Sequence, residues 1–498
     1  MKNILILGAG LMQIPAITSA KELNCKTFVA DGNPEAIGSK YADEFFVVDL
    51  KDREGLFNLA KKINDESHLD AVFTAGTDFS ANVAYIAEKF ALVGHSFSAA
   101  INASDKIQMR KRFAECAVGS PKFAEITKST LEKLSDQDKV KSFLLDSGFD
   151  SSSFPYVVKP CDNMGGRGCR MITDISEFIP AVEKAIGNSR SGRAIFEEYM
   201  DGREFSIDSL VINGNVTITG FAERHIYYPP YFIEMGHTMS AELTENEYNL
   251  LRSEFVKAVH ALGLTNGVAK ADIKLTSKGV MIGEIAARLS GGYMSGWTFP
   301  YASGINLTRQ ALLIALGEKI EIEEKDVVPS KICAERAWLS IPGKISGIYG
   351  YEDVKQISEI KDLLPRTKVG DVVNFPTNNV EKCGNVISLS ENREKAISMA
   401  ENAISKIVVR LEKNNPATQQ FLDSPLDTVY PPSAYTDMEK NERDWNYRTV
   451  SESIELFTKI IGKDDSFVKD FIKTQVNFYR YLSRGGIQGI LYLYDSLN

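Results

Sequence analysis

The chain is 498 residues long, which at roughly 150 residues per domain suggests about three domains. Its 44% hydrophobic and 25% charged content supplies enough apolar side chain for a large core and excludes wholesale disorder. With 57 Lys and Arg against 66 Asp and Glu, the net charge of −9 gives no general attraction to nucleic acid or an anionic membrane and leaves room only for a local basic pocket.

No run of about 18 apolar residues occurs, so no membrane-spanning helix is expected. Residues 1–8 carry one Lys and a very short apolar run ending in glycine, the pattern of a first strand and turn rather than a signal peptide. The six Cys contain no CxxC pair and the five His no HExxH, which fits a reduced cytoplasmic protein without a structural zinc site.

In chain order, residues 4–7 form a strand too short for a helix, closed by Gly8-Ala9-Gly10. Residues 14–23 follow as a helix, 27–30 and 45–48 as strands, 56–63 as a helix, and 71–73 as a strand ending at Thr74-Ala75-Gly76-Thr77-Asp78. Alternating strands and helices predict a parallel doubly wound sheet, in which ligands sit at the carboxyl ends of strands. The loops 8–13 and 74–78 are site candidates on that ground.

Near residue 150 the pattern becomes antiparallel α+β. Residues 156–160 read as a strand, followed by a glycine-rich loop over 161–170. Strands at 194–197, 204–212 and 216–221 follow, with a turn at Asn213-Gly214-Asn215. A helix at 246–261 leads to strands at 267–275 and 280–285, joined at Ser277-Lys278-Gly279. Residues 331–412 form a small unit with short strands and a helix near 393–411. The Pro-, Asp- and Asn-rich stretch 413–448 reads as a linker or a surface-hugging segment. The last fifty residues are helical: Phe467, Val468, Phe471, Ile472, Val476 and Tyr479 make one apolar stripe, and Gly485-Gly486 ends that helix.

Some segments could carry chemistry. Gly8-Ala9-Gly10, with Asp31 21 residues beyond Gly10, resembles a dinucleotide fingerprint, but the third glycine is Gln13, whose bulk obstructs a pyrophosphate. The other readings are a plain strand-to-helix turn and a loop whose Gln13 amide meets another ligand. No Walker A sequence is present. Lys159 running into Gly165, Gly166, Arg167 and Gly168 nevertheless makes a phosphate cradle of exposed N–H groups and positive charge, or a simple hairpin turn.

Asp272 and Glu284 lie on the two strands around the 277–279 turn. If that turn has three residues, Thr276 pairs with Val280 and Asp272 faces Glu284; a slip of one residue brings Gly283 there instead. Two facing carboxylates repel unless a cation lies between them, and Mg²⁺ takes carboxylate oxygens together with phosphates. The alternative is an exposed hairpin with incidental acids. Arg288, Gly291 and Gly292 complete a charged, flexible patch.

Together these segments resemble the ATP-grasp superfamily through about 410 residues in order, most of all its L-amino acid ligase-type carboxylate–amine ligases, with biotin carboxylase, the carbamoyl phosphate synthase large subunit and the purine-pathway carboxylating enzymes as cousins. The resemblance implies an N-terminal pre-ATP-grasp domain (1–100), a two-lobed ATP-grasp domain (101–330), a closing lobe (331–412), and a linker with a helical C-terminal extension (413–498). It assigns ATP to Lys106, Lys159, Gly165, Gly166, Arg167, Gly168, Glu197, Glu198, Met200 and Glu204. Mg²⁺, with Mn²⁺ as the alternative, falls to Asp272 and Glu284. Arg288 and Lys159 become catalytic, and Gln13, Glu234, His237 and Arg288 substrate-binding. Two departures stand out: Ala286 replaces a customary Asn ligand, and the first acid is Asp272 rather than Glu.

The implied chemistry activates a carboxylate as an acyl phosphate and joins it to an amine. The alternatives are carboxylation or carbamoyl phosphate synthesis through carboxyphosphate, a non-catalytic nucleotide-binding scaffold, and a dehydrogenase using the 8–13 loop. Small-molecule carboxylate and amine partners, no nucleic acid, no membrane, a homodimer and a cytoplasmic location are expected.

Overall fold

The computed structural model describes residues 1–440 and 442–498 and divides into two compact units. The first comprises Met1–Met164, Ile172–Arg224 and Met239–Lys331; the second comprises Gly165–Met171, His225–Thr238 and Ile332–Asn498.

The first unit begins with the predicted parallel sheet. Asn3–Leu7 is buried throughout, as a run covered on both faces must be. It lies between Lys26–Asp31 and Ala71–Phe73, with Glu44–Val47 at the edge, all parallel. Arg53–Ser67 and Ser80–Lys89 contribute Leu56, Leu59 and Ile86 to a core shared with Leu5, Leu7 and Phe28. Next, Phe123–Thr127, Arg193–Glu198 and Tyr156–Pro160 pair antiparallel in that order. Phe149 meets Phe196 edge-on at 4.8 Å in the core beneath them. A further antiparallel group has Gly267–Thr276 between Gly279–Ala286 and Arg203–Ile212. The helix Glu245–Leu262 packs on it through Leu251, Phe255 and Val259. That helix starts on a Thr244/Glu247 capping box and stops at Gly263, whose φ of 81° suits glycine.

In the second unit, Ile332–Trp338 pairs with Gly384–Ser390, which also pairs with Ile360–Pro365. The helix expected near 393–411 is shorter. Arg393–Lys406 is helical, and Val408–Leu411 then forms a strand against Gly343–Tyr349. Ile407, Val408 and Val409 are β-branched, which disfavours continuing the helix, and all three are buried.

The Pro-rich stretch is no exposed linker. Pro416–Asp423 is a helix, and Tyr435, Trp445, Asn446 and Arg448 are buried. Asp444 and Arg448 form a buried ion pair at 3.4 Å, and Asn446 bridges Leu339 N and O at 2.8 and 3.0 Å. Nor is the C-terminal stripe a single helix. Asp465–Thr474 ends before Val476, which is 97% exposed, and Phe478–Leu497 starts anew. The Gly485-Gly486 pair does end a helix, the one that starts at Phe478: Gly486 adopts φ 60°, ψ −148°, outside the helical region, and a second helix follows it. A Cβ at Gly486 would stand 3.1 Å from Asp444 Oδ2, so the break brings the chain close to the buried pair.

Among the described residues, no helix is long and apolar enough to cross a membrane.

Candidate active site

The site is assembled in the first unit from one helix and two antiparallel sheets. Helix Lys106–Glu115 is capped by Asp105, which accepts from Ile107 N and Gln108 N at 2.9 and 3.1 Å. Lys106 and Arg110 are i, i+4 neighbours on one face, and both are buried. Lys106 Nζ reaches Glu284 at 3.3 Å and donates to Asn163 O at 3.1 Å.

Glu197 sits between two cations. On the Tyr156–Pro160 and Arg193–Glu198 pair, Val157 opposes Glu197, so Lys159 is its diagonal neighbour on the same face. Lys159 Nζ lies 2.5 Å from Glu197 Oε2, and Arg110 Nε donates to Oε1 at 2.7 Å. Burial pushes the Glu197 carboxyl up, but Arg110 and Lys159 outweigh it and hold it below the usual carboxylate range. Glu197 thereby orients Lys159, the predicted phosphate lysine. Its neighbour Glu198 pairs with Lys278. Met200 O accepts from Lys274 at 3.1 Å, and Glu204 lies 2.6 Å from Arg224 and 3.2 Å from Lys274.

Asp272 does oppose Glu284, by a route the sequence reading did not foresee. The turn is tighter than expected: Thr276 pairs with Gly279, not with Val280. A bulge between Asp272 and Ile273 shifts the register by one, leaving Gly283 as the extra residue and bringing Glu284 opposite Asp272. Arg110 Nη2 satisfies the bulge by donating to Gly283 O at 2.7 Å. A Cβ at Gly283 would lie 3.2 Å from Asp272 O, which is why the extra residue is glycine.

Cations gather at both acids. Asp272 lies 2.5 Å from Lys270 and 2.9 Å from Arg224. Burial raises its pKa, but Arg224 and Lys270 prevail and set it to about 2. Glu284 is raised by burial, but Lys106 and then Lys270 draw it below its ordinary range, against the opposing charge of Asp272. Burial lowers the Lys106 pKa, yet Glu284 and Asp78 outweigh that and keep it cationic. Two ionised carboxylates side by side supply the hard oxygen donors that Mg²⁺ takes alongside phosphates, so the residues fit the predicted metal. Ala286 adds no donor and faces Lys270 in register.

Arg288 lies just beyond these acids, 7% exposed. Its Nη1 donates to Leu289 O at 3.1 Å, and its buried Nε finds no hydrogen-bond partner among the described residues. The loop is pinned on two sides. Ser290 N and Oγ both donate to Asp208, while Gly76 N donates to Leu289 O at 3.2 Å. Asp78, at the end of the 74–78 loop, is raised by burial against the lowering pull of Arg288.

Gln13 acts locally: its Oε1 accepts from Gly10 N at 2.9 Å and its Nε2 donates to Ala75 O, joining the 8–13 and 74–78 loops. The remaining predicted residues belong to the second unit. Gly165, Gly166 and Gly168 have φ of 70°, 73° and 70°. Glu234 N donates to Asn379 Oδ1 at 2.7 Å. His237 is fully buried, its Nδ1 3.3 Å from Glu335 Oε2.

Sequence reasoning missed Arg110, Lys270, Arg224 and Asp208, while Asp78 lies in the 74–78 loop that it marked. Two of them had a signal. Arg110 is one helical turn from Lys106, and Lys270 is two strand positions from Asp272, so each shares a face with a residue already singled out.

Comparison with known proteins identifies two domains in the chain. Residues 152–296 match the family described as ATP-grasp domain, and residues 337–412 the one described as L-amino acid ligase C-terminal domain 2. The chain carries an ATP-grasp domain. It carries, in addition, a C-terminal domain of the L-amino acid ligase type.

An uncharacterized protein of Sinorhizobium fredii is 21% identical over 72% of this chain and 72% of its own. The 3-methyl-D-ornithine–L-lysine ligase of Methanosarcina acetivorans is 24% identical over 67% and 78%. The chain spans less than a third of the carbamoyl phosphate synthase large chain of Caldanaerobacter subterraneus, at 22% identity over 64% of this chain and 29% of that one. Among solved structures, the L-amino acid ligase from Bacillus licheniformis superposes with a TM-score of 0.70 and 22% identity, over 83% of this chain and 99% of that one.

Proposed function

We propose that the protein is an ATP- and Mg²⁺-dependent ligase that activates a carboxylate as an acyl phosphate and joins it to an amine, an amino acid or a related compound. The observation that carries this reading is the Asp272–Glu284 pair ringed by Lys106, Lys270, Arg224 and Arg288. The ligase names of relatives matched over most of their length support it.

In this reading a substrate carboxylate oxygen attacks the γ-phosphorus, the β–γ P–O bond breaks, and ADP leaves. The amine then attacks the acyl carbon, phosphate departs with the C–O bonding pair, and the amine gives up a proton. Lys159, held by Glu197, and Lys106 neutralise phosphate oxygens before the transfer. Arg288 steadies the oxyanion of the tetrahedral adduct. Asp272 and Glu284 would hold Mg²⁺, which when bound offsets charge developing on the phosphoryl oxygens.

Gly165, Gly166, Arg167 and Gly168 are assigned to covering the phosphates, with Glu197, Glu198, Met200 and Glu204 at the nucleoside. Gln13, Glu234 and His237 are assigned to the substrate side, Gln13 by holding its loop. A homodimer and a cytoplasmic location complete the proposal.

A panel of amino acids, amines and bicarbonate, scored for ADP and for amide product, tests it. ADP release that needs both a carboxylate and an amine is the expected result. Release with bicarbonate alone overturns it in favour of carboxyphosphate chemistry.

A further inference from the structure

Within the second unit, one residue of a neighbouring segment holds the start of the glycine-rich loop. Asn379 lies in the 374–383 segment, inside the region that matches the L-amino acid ligase C-terminal domain. Its backbone N–H donates to Gly165 O at 2.9 Å. Its side-chain Oδ1 accepts from Glu234 N at 2.7 Å, and its own carbonyl accepts from Arg366 Nη1 at 3.2 Å. A Cβ at Gly166 would lie 3.7 Å from Asn379 Nδ2, and one at Gly165 would lie 3.7 Å from Val380.

The Glu234 side of this arrangement is held a second time, because Lys382 Nζ donates to Glu234 O at 2.6 Å. The peptide groups on both sides of the Glu234 Cα are thus bound by residues of one short segment. Asn378 closes that segment on itself by accepting from Val380 N at 2.9 Å, and Glu381 does so by accepting from Thr377 N at 2.6 Å. The segment is therefore internally braced, with one arm on the glycine loop and two on the strand Ile233–Met239.

We propose that Asn379 is a positioning residue that couples the glycine-rich loop to the Glu234 strand, so that the loop is ordered when that strand is in place. The inference rests on the proposed ligase for its purpose, since an acyl phosphate must be shielded from water. It does not rest on it for its geometry. The carboxamide oxygen is the only part of the Asn379 side chain that the coupling requires. Asp preserves it and Ala removes it, while both keep the backbone N–H that holds Gly165.

Hydrogen exchange on the full chain, without nucleotide or substrate, tests this through peptides covering residues 163–171, 233–239 and 376–383. Asn379→Ala should raise exchange at least tenfold in all three, including 163–171, which the removed atom does not touch. Asn379→Asp should exchange like the unaltered protein. Should Asn379→Ala not accumulate folded, Asn379→Ser, whose hydroxyl ends short of the Glu234 amide, is read in the same way. Exchange in 163–171 that is the same in all these proteins overturns the coupling, as does an Asp variant as loose as Ala. In an active preparation, Asn379→Ala should also release at least threefold more ADP per amide formed, with Asp restoring the ratio. A protein that forms no amide with any substrate defeats the ligase reading and leaves the exchange comparison standing.

Discussion

Asp272 stands opposite Glu284 because Gly283 bulges out of the strand between Glu284 and Ile282. Without the bulge, the short turn at residues 277–278 would bring Gly283 opposite Asp272 and put Glu284 on the other face. Gly283→Val should therefore disturb the pair while leaving both acid side chains in the sequence. A side chain there presses on Asp272 O and on Met200, at 3.2 and 3.4 Å from the Cβ alone. We expect a stability loss of about 1–3 kcal/mol and a fall in Mg²⁺-dependent ADP release. Denaturant melts and a coupled ADP assay check both, and an active, stable Val variant would deny the bulge its role.

Glu284→Gln should nearly abolish metal-dependent turnover, since one of two hard oxygen donors is weakened. Its effect on the metal-free fold should be small, because it relieves the repulsion with Asp272 while releasing Lys106. Thermal unfolding with and without Mg²⁺ separates these effects: the melting temperature of the unaltered protein should rise with the ion and that of the variant should not. Unchanged turnover would remove Glu284 from the site.

Glu197 depends on two cations, and Arg110 is the fully buried one. Arg110→Met should cost on the order of 3 kcal/mol, because it leaves the carboxylate with Lys159 alone and Gly283 O without its donor. Urea denaturation measures this; a loss below about 1 kcal/mol would mean that Lys159 suffices.

His95 gives a pH signature unrelated to catalysis. Its Nε2 lies 2.9 Å from Val268 O, and its Nδ1 accepts from Thr265 N at 3.1 Å. Full burial drives its pKa down to about 4, against the weaker lift of the Val268 bond. The unfolded chain then binds the extra proton first, so stability is intact above pH 6.5 and is lost as pH falls toward 4. The loss is on the order of 3 kcal/mol. His95→Gln should flatten that limb of the stability–pH curve, and an unaltered slope would assign it to other groups.

The parallel N-terminal sheet was legible because alternating apolar runs and helical patterns are local signals. Motif order along the chain also singles out Lys106, Lys159, Asp272, Glu284 and Arg288, which the fold gathers into one charged cluster. What escaped was nonlocal. Nothing in the local pattern announces that Gly283 bulges, because the bulge depends on Arg110 arriving from a distant helix to take its carbonyl. The partly buried cations Lys270 and Arg224 look in sequence like ordinary strand-surface residues. The stretch 413–448 reads as a linker because its Pro and Asn content is a turn signal. Its burial depends on Asn446 and Arg448 finding backbone partners at Leu339 and Ser405, with Asp444 paired to Arg448.

Isotope transfer tests the central claim most directly. With the accepted carboxylate substrate labelled in both oxygens with ¹⁸O and ATP unlabelled, the phosphate released during amide formation should carry one ¹⁸O. The carboxylate oxygen that attacks phosphorus leaves with it when the amine arrives. Amide formation with phosphate free of label would contradict activation through an acyl phosphate on a site built around Asp272 and Glu284.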